Sequence, residues 1–146
     1  MSNSQLFSRL ENENVFVDTS AWFSFLSKSD RNHDKIKNIY QKLLENNNNL
    51  VLSNHVLGET FTLIRYNVKN SDLAFKFIDL VNKSIMINKI FIEEKTDKKA
   101  IKILENYKDQ QFSYVDATSF AVMNKLELKY ALSLDTHFAT AGFIIP

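Results

Sequence analysis

Short apolar runs alternate with longer amphipathic stretches along most of this chain. Apolar runs at residues 15–17, 50–52 and 130–134 predict buried strands, and two more strands are predicted within residues 85–92 and at 143–145. Apolar residues at helical spacing predict helices at 21–26, 36–44, 54–68, 71–81, 94–107, 113–126 and 136–141. Strands that alternate with helices predict a three-layer α/β fold, in which helices cover both faces of a mainly parallel central sheet.

The first 14 residues differ from the rest because they are mostly polar. They are predicted to form a lead-in with about one helical turn around Leu6, Phe7 and Leu10. Residues 15–146 are predicted to form a single domain, since no internal repeat or linker interrupts them and 146 residues is near the most common domain size.

Composition excludes several kinds of site. The chain has no cysteine, which rules out disulfides, zinc–thiolate sites and thiol nucleophiles and suits a reducing cytoplasm, where we expect the protein. Neither of the two glycines belongs to a Gly-rich loop, so a Walker-type or dinucleotide phosphate cradle is not supported. No run reaches the ~18 apolar residues of a membrane span. The first 14 residues also lack a signal-peptide core, so export is not expected.

The net charge of +1 hides a clustering of basic residues. The predicted helix at 94–107 carries a row of lysines on one face: Lys95, Lys98, Lys99 and Lys102. Its predicted inward positions are Ala100, Ile101, Leu104 and Tyr107. A cationic face of this kind can contact nucleic-acid phosphates, although a solvated helix surface is the commoner reason for such a pattern.

Four acidic residues stand where a carboxylate destabilises the fold unless a cation neutralises it. Asp18 and Asp135 follow predicted strands, Asp116 lies in the first turn of a predicted helix, and Glu59 lies inside an apolar helix pattern. Functional groups of open α/β sheets gather beyond the carboxyl ends of the strands. A hard divalent cation such as Mg²⁺ prefers oxygen ligands and would neutralise carboxylates that meet there.

Each of these residues also has a purely structural explanation. Asp18 and Asp135 stand where helix N-caps stand, and Ser113 with Asp116 matches a capping box. Glu59 is also compatible with an ordinary solvent-facing position. The four residues are therefore informative as a group, and none is decisive alone.

Four segments together resemble a known family: VFVDTSAW, LSNHVLGETFTLIR, FSYVDATSFAVM and ALSLDTHFATAGF. They are similar to the PIN-domain ribonucleases, and within these to the small toxins of bacterial VapBC toxin–antitoxin modules. The resemblance runs from Val15 to Phe143 and implies a PIN-like fold for residues 15–146. The polar lead-in departs from the pattern, because many of these toxins begin almost at the first strand.

The resemblance implies a metal-dependent ribonuclease. Its catalytic acidic quartet would be Asp18, Glu59, Asp116 and Asp135. The ligands of one or two Mg²⁺ or Mn²⁺ ions would be Asp18, Asp116 and Asp135, with Glu59 as base or water-holding residue. Thr19 or Ser20 would supply a hydroxyl to the site, and Ser113 would orient the helix of Asp116. Hydrolysis by water would leave a 5′-phosphate and a 3′-hydroxyl.

The resemblance also implies partners. The substrate would be RNA, a cognate antitoxin protein would cover the toxin and plug its groove, and the toxin would form a homodimer. A catalytically inactive PIN-like module that binds RNA or a protein is the alternative function. A phosphatase with an Asp nucleophile is disfavoured, because it needs a second Asp two residues after the first, where this chain has Ser20.

Three other residues near the acidic positions have their own interpretations. His137 is interpreted as a helix-start or surface residue rather than a ligand, as isolated histidines usually are. Trp22 and Tyr114 are expected outside the core, Trp22 on the wall of a partner-binding groove and Tyr114 stacked on a base.

Overall fold

The computed structural model describes residues 2–146, so Met1 of the predicted lead-in lies outside the described part. The helices are α1 (Asn3–Leu10), α2 (Thr19–Leu26), α3 (His33–Glu45), α4 (Asn54–Tyr66), α5 (Ser71–Lys83), α6 (Glu94–Asn106), α7 (Tyr114–Lys125) and α8 (His137–Thr140). The strands are β1 (Asn14–Val17), β2 (Asn49–Ser53), β3 (Ile87–Ile90) and β4 (Tyr130–Leu132). No helix within residues 2–146 combines the length and the apolar character needed to cross a membrane.

The four strands form one parallel sheet in the order β3-β2-β1-β4. Val15 of β1 lies opposite Leu50 on one side and Tyr130 on the other. The chain moves outward from β1 to β2 to β3 and then returns across the sheet to β4. Right-handed crossovers in these two opposite directions place helices on both faces. The predicted α/β fold is therefore confirmed.

The core is built from aromatic clusters that join the helices to the sheet. Phe16 of β1 stacks on Phe138 of α8 at 6.2 Å between ring centroids, and Phe138 meets Phe120 of α7 at 4.9 Å. Trp22 of α2 packs against Phe77 of α5 at 5.2 Å and is only 1% exposed. The expectation that Trp22 lines a groove is wrong, because α2 turns this side chain into the layer between α2 and α5.

Helices α6 and α7 pack through small side chains. Ala100 of α6 meets Ala117 and Ala121 of α7, and all three are buried. The predicted inward positions Ile101 and Tyr107 are wrong, since these residues are 39% and 42% exposed. The alanines allow the two helix axes to approach closely, and this contact turns the Ala100 side of α6 toward α7.

The predicted strand at residues 143–145 is also wrong. A single parallel bridge joins Tyr130 to Ile144, and the Ile144 N–H donates to the carbonyl of Lys129 at 2.8 Å. On its other side β4 pairs with β1 at all three of its residues, so this one bridge adds no fifth strand to the sheet.

The polar lead-in contains a longer helix than the single turn predicted. Ser2 caps α1 in a capping box, and Leu10 at its end is fully buried. The buried Asn48 side chain donates to the carbonyls of Leu10 and Glu13 at 2.6 and 2.7 Å. These contacts fasten the segment before β1 to the rest of the molecule.

Candidate active site

The candidate site lies at the carboxyl edge of the sheet, between β1 and β4. The strand order reverses its direction between these two strands, and such a switch point opens a crevice beyond the strand ends. Val17 pairs with Leu132, so the next residues along each strand, Asp18 and Ser133, are neighbours. The site therefore begins at the carboxyl ends of two adjacent parallel strands, β1 and β4.

Asp18 is held in this crevice by hydroxyl groups. Its Oδ2 accepts hydrogen bonds from Ser133 at 2.9 Å and from Ser20 at 3.0 Å. Asp18 occupies the N-cap position of α2, but its side chain makes no capping hydrogen bond. Capping therefore does not explain why this position holds an aspartate.

The carboxyl group of Asp18 is buried and difficult to ionise. Burial raises the pKa of Asp18 from 3.8 to about 6, and the nearby charge of Asp116 adds to the rise. The Ser133 and Ser20 hydroxyls lower the pKa of Asp18 only in part. A negative charge at this position needs a cation that the side chains of the crevice do not supply.

Asp116 has both a capping role and a place in the crevice. The predicted capping box is confirmed: the Ser113 hydroxyl accepts from the Asp116 N–H at 2.9 Å, and the Ser113 N–H donates to Asp116 Oδ2 at 2.9 Å. The first turn of α7 is thereby fixed, and Asp116 is 7% exposed. After burial, which is the main cause, the charge of Asp116 adds to the raised pKa of Asp18.

Asp135 and His137 complete the cluster. His137 Nδ1 lies 2.8 Å from Asp116 Oδ2 and 3.2 Å from Asp135 Oδ2. One ligand atom from each of these three residues falls within 4.8 Å of the other two. His137 does begin α8, as predicted, and its Nδ1 lies beside two of the predicted site residues, Asp116 and Asp135. The only hint of this proximity in the sequence is its position two residues after Asp135. The expectation that it is not a ligand stays a prediction.

Of the hydroxyl residues beside Asp18, two form hydrogen bonds to the segment after β4 and one, within residues 2–146, forms none. Ser20 accepts from the Leu134 N–H at 3.0 Å, and Ser133 accepts from the Asp135 N–H at 3.0 Å. Both therefore tie Asp18 to the segment after β4. Thr19 is buried, and its Oγ1 has no hydrogen-bond partner among the described residues. Sequence reasoning missed Ser133, because only the β1–β4 register places it beside Asp18.

Glu59 does not join the other three carboxylates in this structure. It lies in the second turn of α4 and is exposed, beside the buried positions Val56 and Thr60. Among residues 2–146, no hydrogen bond or ion pair links it to Asp18, Asp116 or Asp135. The crevice thus gathers three of the four predicted acidic residues, and Glu59 stands on the helix that starts at the neighbouring strand.

The donor set fits a divalent cation. Within residues 2–146, no Lys or Arg nitrogen lies within 4.0 Å of the carboxylates of Asp18, Asp116 or Asp135; the side-chain nitrogen beside Asp116 and Asp135 is Nδ1 of His137. Carboxylate oxygens with an imidazole nitrogen are a donor set that Mn²⁺ and other first-row divalent ions accept, and carboxylates suit Mg²⁺. The unpartnered Thr19 hydroxyl beside Asp18 offers one more oxygen to bound water.

Comparisons with known proteins were made with the sequence and with the structure. A family model described as PIN domain matches residues 15–144. The 23S rRNA-specific endonuclease VapC20 of Mycobacterium tuberculosis is 32% identical over 130 residues, which cover 89% of this chain and 95% of that protein. The VapC ribonuclease of Archaeoglobus fulgidus is 30% identical over 127 residues, which cover 86% and 79%.

A solved structure shares the whole fold. The crystal structure of Mycobacterium tuberculosis VapC20, described as a sarcin–ricin loop cleaving toxin, matches with a TM-score of 0.81 and 30% identity. The match covers 89% of this chain and 96% of that one. The fold of this chain is therefore similar to that of VapC20 over almost the full length of VapC20.

Proposed function

Because this chain belongs to the PIN-domain family, we propose that it is a ribonuclease that needs a divalent cation to hydrolyse phosphodiester bonds of RNA. One observation carries the proposal: Asp116 and Asp135 share a cluster with His137, and Asp18, from a distant part of the chain, lies close enough that the charge of Asp116 adds to the rise that burial causes in its pKa. Among the described residues, none of these three carboxylates has a Lys or Arg partner. Relatives named as an rRNA endonuclease and a ribonuclease support RNA as the substrate.

Each residue of the site has a proposed role. Asp18, Asp116 and Asp135 hold one Mg²⁺ or Mn²⁺ ion. Such an ion, when bound, lowers the pKa of water and draws electron density from the phosphate. Glu59, from the neighbouring helix α4, takes a proton from the attacking water. The P–O3′ bond breaks as the new P–O bond forms, and the departing O3′ takes a proton from solvent water, so the products carry a 5′-phosphate and a 3′-hydroxyl.

The hydroxyl residues are proposed to keep the carboxylates in place. Ser20 and Ser133 fix the Asp18 carboxylate by two hydrogen bonds to the same oxygen, Oδ2. Ser113 orients the first turn of α7, which carries Asp116. Thr19 contributes its free hydroxyl to water in the site. A site held in one geometry before the substrate binds lowers the barrier more than a flexible one.

The α6–α7 surface is proposed to contact the RNA backbone away from the cleaved bond. Lys99, Lys102 and Lys125 line a cavity of about 250 Å³, together with Asn124. Among residues 2–146 these three lysines have no carboxylate within 4.0 Å, whereas Lys98 pairs with Glu94 at 3.0 Å. Lys125 lies about 14 Å along α7 from Asp116, a distance that a few nucleotides span.

A partner protein is part of the proposal. A nuclease that cuts cellular RNA in the cytoplasm harms its host unless its site is covered, and VapC20 is described as a toxin. We therefore propose a cognate antitoxin that covers the acidic edge of the sheet, and a homodimer as the toxin's own state. Co-expression with the protein encoded next to it, followed by a cleavage assay of the complex, tests the inhibition.

The decisive experiment is RNA cleavage by the purified chain. Cleavage is expected with Mg²⁺ or Mn²⁺, and EDTA is expected to abolish it. Asp18→Asn and Asp116→Asn are expected to lower the rate by on the order of 10²-fold or more, because each removes a charge that holds the cation. The matched control is Asp79→Asn, which removes an exposed carboxylate on α5.

The outcomes separate the enzyme from the alternative. A catalytically inactive PIN-like module would bind RNA or the ion and cleave nothing under any of these conditions. Cleavage that persists in EDTA, or in both site variants at the wild-type rate, would contradict the proposal. Sequencing the product ends checks the predicted 5′-phosphate and 3′-hydroxyl.

A further inference from the structure

The nitrogen of His137 stands among the carboxylate oxygens of the acidic crevice. Nδ1 lies 2.8 Å from Asp116 Oδ2 and 3.2 Å from Asp135 Oδ2. Two neighbouring ligands of an octahedral ion with bonds of about 2.1 Å are themselves about 3 Å apart. The nitrogen therefore lies at the distance of a neighbouring ligand from each of the two oxygens, and all three residues offer ligand atoms within 4.8 Å of one another.

The imidazole ring is held in this orientation by its surroundings. The backbone N–H of His137 donates to Asp135 Oδ1 at 3.0 Å, which fixes the start of α8. The ring of Phe112 meets the His137 ring edge to face, at 5.4 Å between centroids and 71° between planes. The side chain is 28% exposed. A ring confined in this way turns Nδ1 toward the carboxylates without further rearrangement.

Both neutral tautomers of the His137 imidazole are compatible with these distances. With the hydrogen on Nδ1, the ring donates to Asp116 Oδ2. With the hydrogen on Nε2, Nδ1 directs a lone pair into the space between the carboxylates. The second arrangement makes His137 a ligand, and the two Asp oxygens stay where they are.

We infer that His137 is a metal ligand through Nδ1, and that it gives this site a preference for Mn²⁺ or a similar transition-metal ion over Mg²⁺. The inference rests on the proposed function, because it concerns the same cation site. Mg²⁺ favours oxygen donors, whereas an imidazole nitrogen favours ions later in the first transition row. A purely oxygen site would discriminate less between these two ions.

The alternative is that His137 only positions the two carboxylates. A positioning residue would affect Mg²⁺ and Mn²⁺ equally, since both ions use the same oxygens. His137→Asn distinguishes the two roles, because the Asn amide can still donate a hydrogen bond near the Nδ1 position but offers no nitrogen lone pair.

The test uses Mn²⁺ as a spectroscopic probe. Pulsed electron paramagnetic resonance of the Mn²⁺-loaded protein is expected to show coupling to a bound imidazole ¹⁴N. That coupling should vanish in His137→Asn and remain in the control His33→Asn, whose ring contacts the Ser24 carbonyl away from the crevice. Calorimetric titration of His137→Asn should show Mn²⁺ affinity lower by at least about tenfold, with Mg²⁺ affinity changed by less than about threefold.

The outcomes also separate this inference from the proposed function. Absence of ¹⁴N coupling in the wild type, coupling that survives in His137→Asn, or equal losses for both ions would overturn the ligand role, even if RNA is cleaved. Loss of the coupling in His137→Asn together with no RNA cleavage by the wild type would uphold the ligand role and reject the ribonuclease.

Discussion

The environment of the Asp18 carboxyl group indicates what this part of the molecule binds. It is buried at 5% exposure, receives two hydroxyl hydrogen bonds, and lies near the charge of Asp116. None of these contacts neutralises it. The folded protein therefore keeps a carboxylate in an environment that favours its protonated form, which is a stability cost that a bound cation removes.

We predict that Asp18→Asn stabilises the metal-free protein at neutral pH. The pKa of Asp18 is about 6 in the folded state against 3.8 ordinarily, so the folded protein binds more protons between those values. Wild-type stability should therefore fall as pH rises through this window, and the full loss of about 3 kcal/mol is present above about pH 7. Thermal unfolding in EDTA at about pH 5 and about pH 7.5 measures the difference.

The asparagine variant should flatten this dependence on pH. Its advantage over the wild type is expected near neutral pH and should shrink in acid, where the wild-type carboxyl is protonated. A variant destabilised by the same amount at both pH values would show that Asp18 acts through its hydrogen bonds, and the charge argument would then fail.

At the same scale, the sequence reveals some site residues and conceals others. Asp18, Asp116 and Asp135 were predictable because a carboxylate after an apolar strand or at a helix start is conspicuous. Ser133 and His137 were not, because their roles depend on strand register and on the direction of one ring. Trp22 was misplaced for a related reason: an aromatic residue near a strand end suits a groove and a core equally well.

Helices α6 and α7 together form the second feature that matters for function. Tyr114 at the start of α7 donates to Asp97 near the start of α6, while Ala100 meets Ala117 and Ala121 further along. The two helices therefore run side by side in the same direction away from the site. The middle of α6, with Lys99 and Lys102, and the last turn of α7, with Lys125, bring lysines of both helices to one cavity.

The sequence predicted only one of the two helices that contribute lysines to this cavity. The lysine face of α6 was predictable from helical spacing, but Lys125 of α7 could join it only through the packing of the two helices. The buried side of α6 was predicted correctly at Ala100 and incorrectly at Ile101 and Tyr107, which are exposed. Close helix approach favours the smaller side chain at the contact.

We predict that the lysine cavity strengthens RNA binding through its charge. Replacing Lys99, Lys102 and Lys125 by Ala should weaken binding and reduce the slope of log affinity against log salt by about 0.7 for each RNA phosphate that a lysine no longer neutralises. Binding is measured from about 50 to about 200 mM salt in an Asp18→Asn background, where the RNA remains intact.

The control removes the same number of charges elsewhere. Lys37 and Lys35 of α3 and Lys76 of α5 are exposed and lie on other helices. If their replacement by Ala lowers the salt slope as much as the cavity variant does, net charge alone governs the binding and the cavity has no special role.

At the scale of the whole molecule, the class of fold followed from the sequence while the strand order did not. Alternating strands and helices imply parallel neighbours, and every strand pair within residues 2–146 is parallel. The order β3-β2-β1-β4 depends on which crossover turns back, and no single segment encodes that choice. The location of the site could not be predicted for the same reason, because the crevice exists only where β1 and β4 are adjacent.

We predict that a divalent cation stabilises the whole domain. Binding to the folded state alone should raise stability by about 2.7 kcal/mol when the ion is at about one hundred times its dissociation constant. For a chain of this length that corresponds to a melting temperature higher by about 5–10 °C. Thermal unfolding with Mg²⁺, with Mn²⁺ and with EDTA measures the shift.

Asp116→Asn provides the comparison for this experiment. It should melt at nearly the same temperature with and without the ion, because it lacks one of the proposed ligands. An equal upshift in the variant and the wild type would mean that the ion binds elsewhere on the domain.

The adjacency of β1 and β4 has a consequence for the time at which activity can arise. The strand that ends at Asp18 is made early by the ribosome, whereas its neighbour in the sheet, with Ser133, Asp135 and His137 just beyond it, is made more than a hundred residues later. Until that last strand has left the ribosome and docked, a nascent chain has no complete crevice. Translation itself thus delays the assembly of the crevice, and the proposed antitoxin has that interval in which to meet the chain.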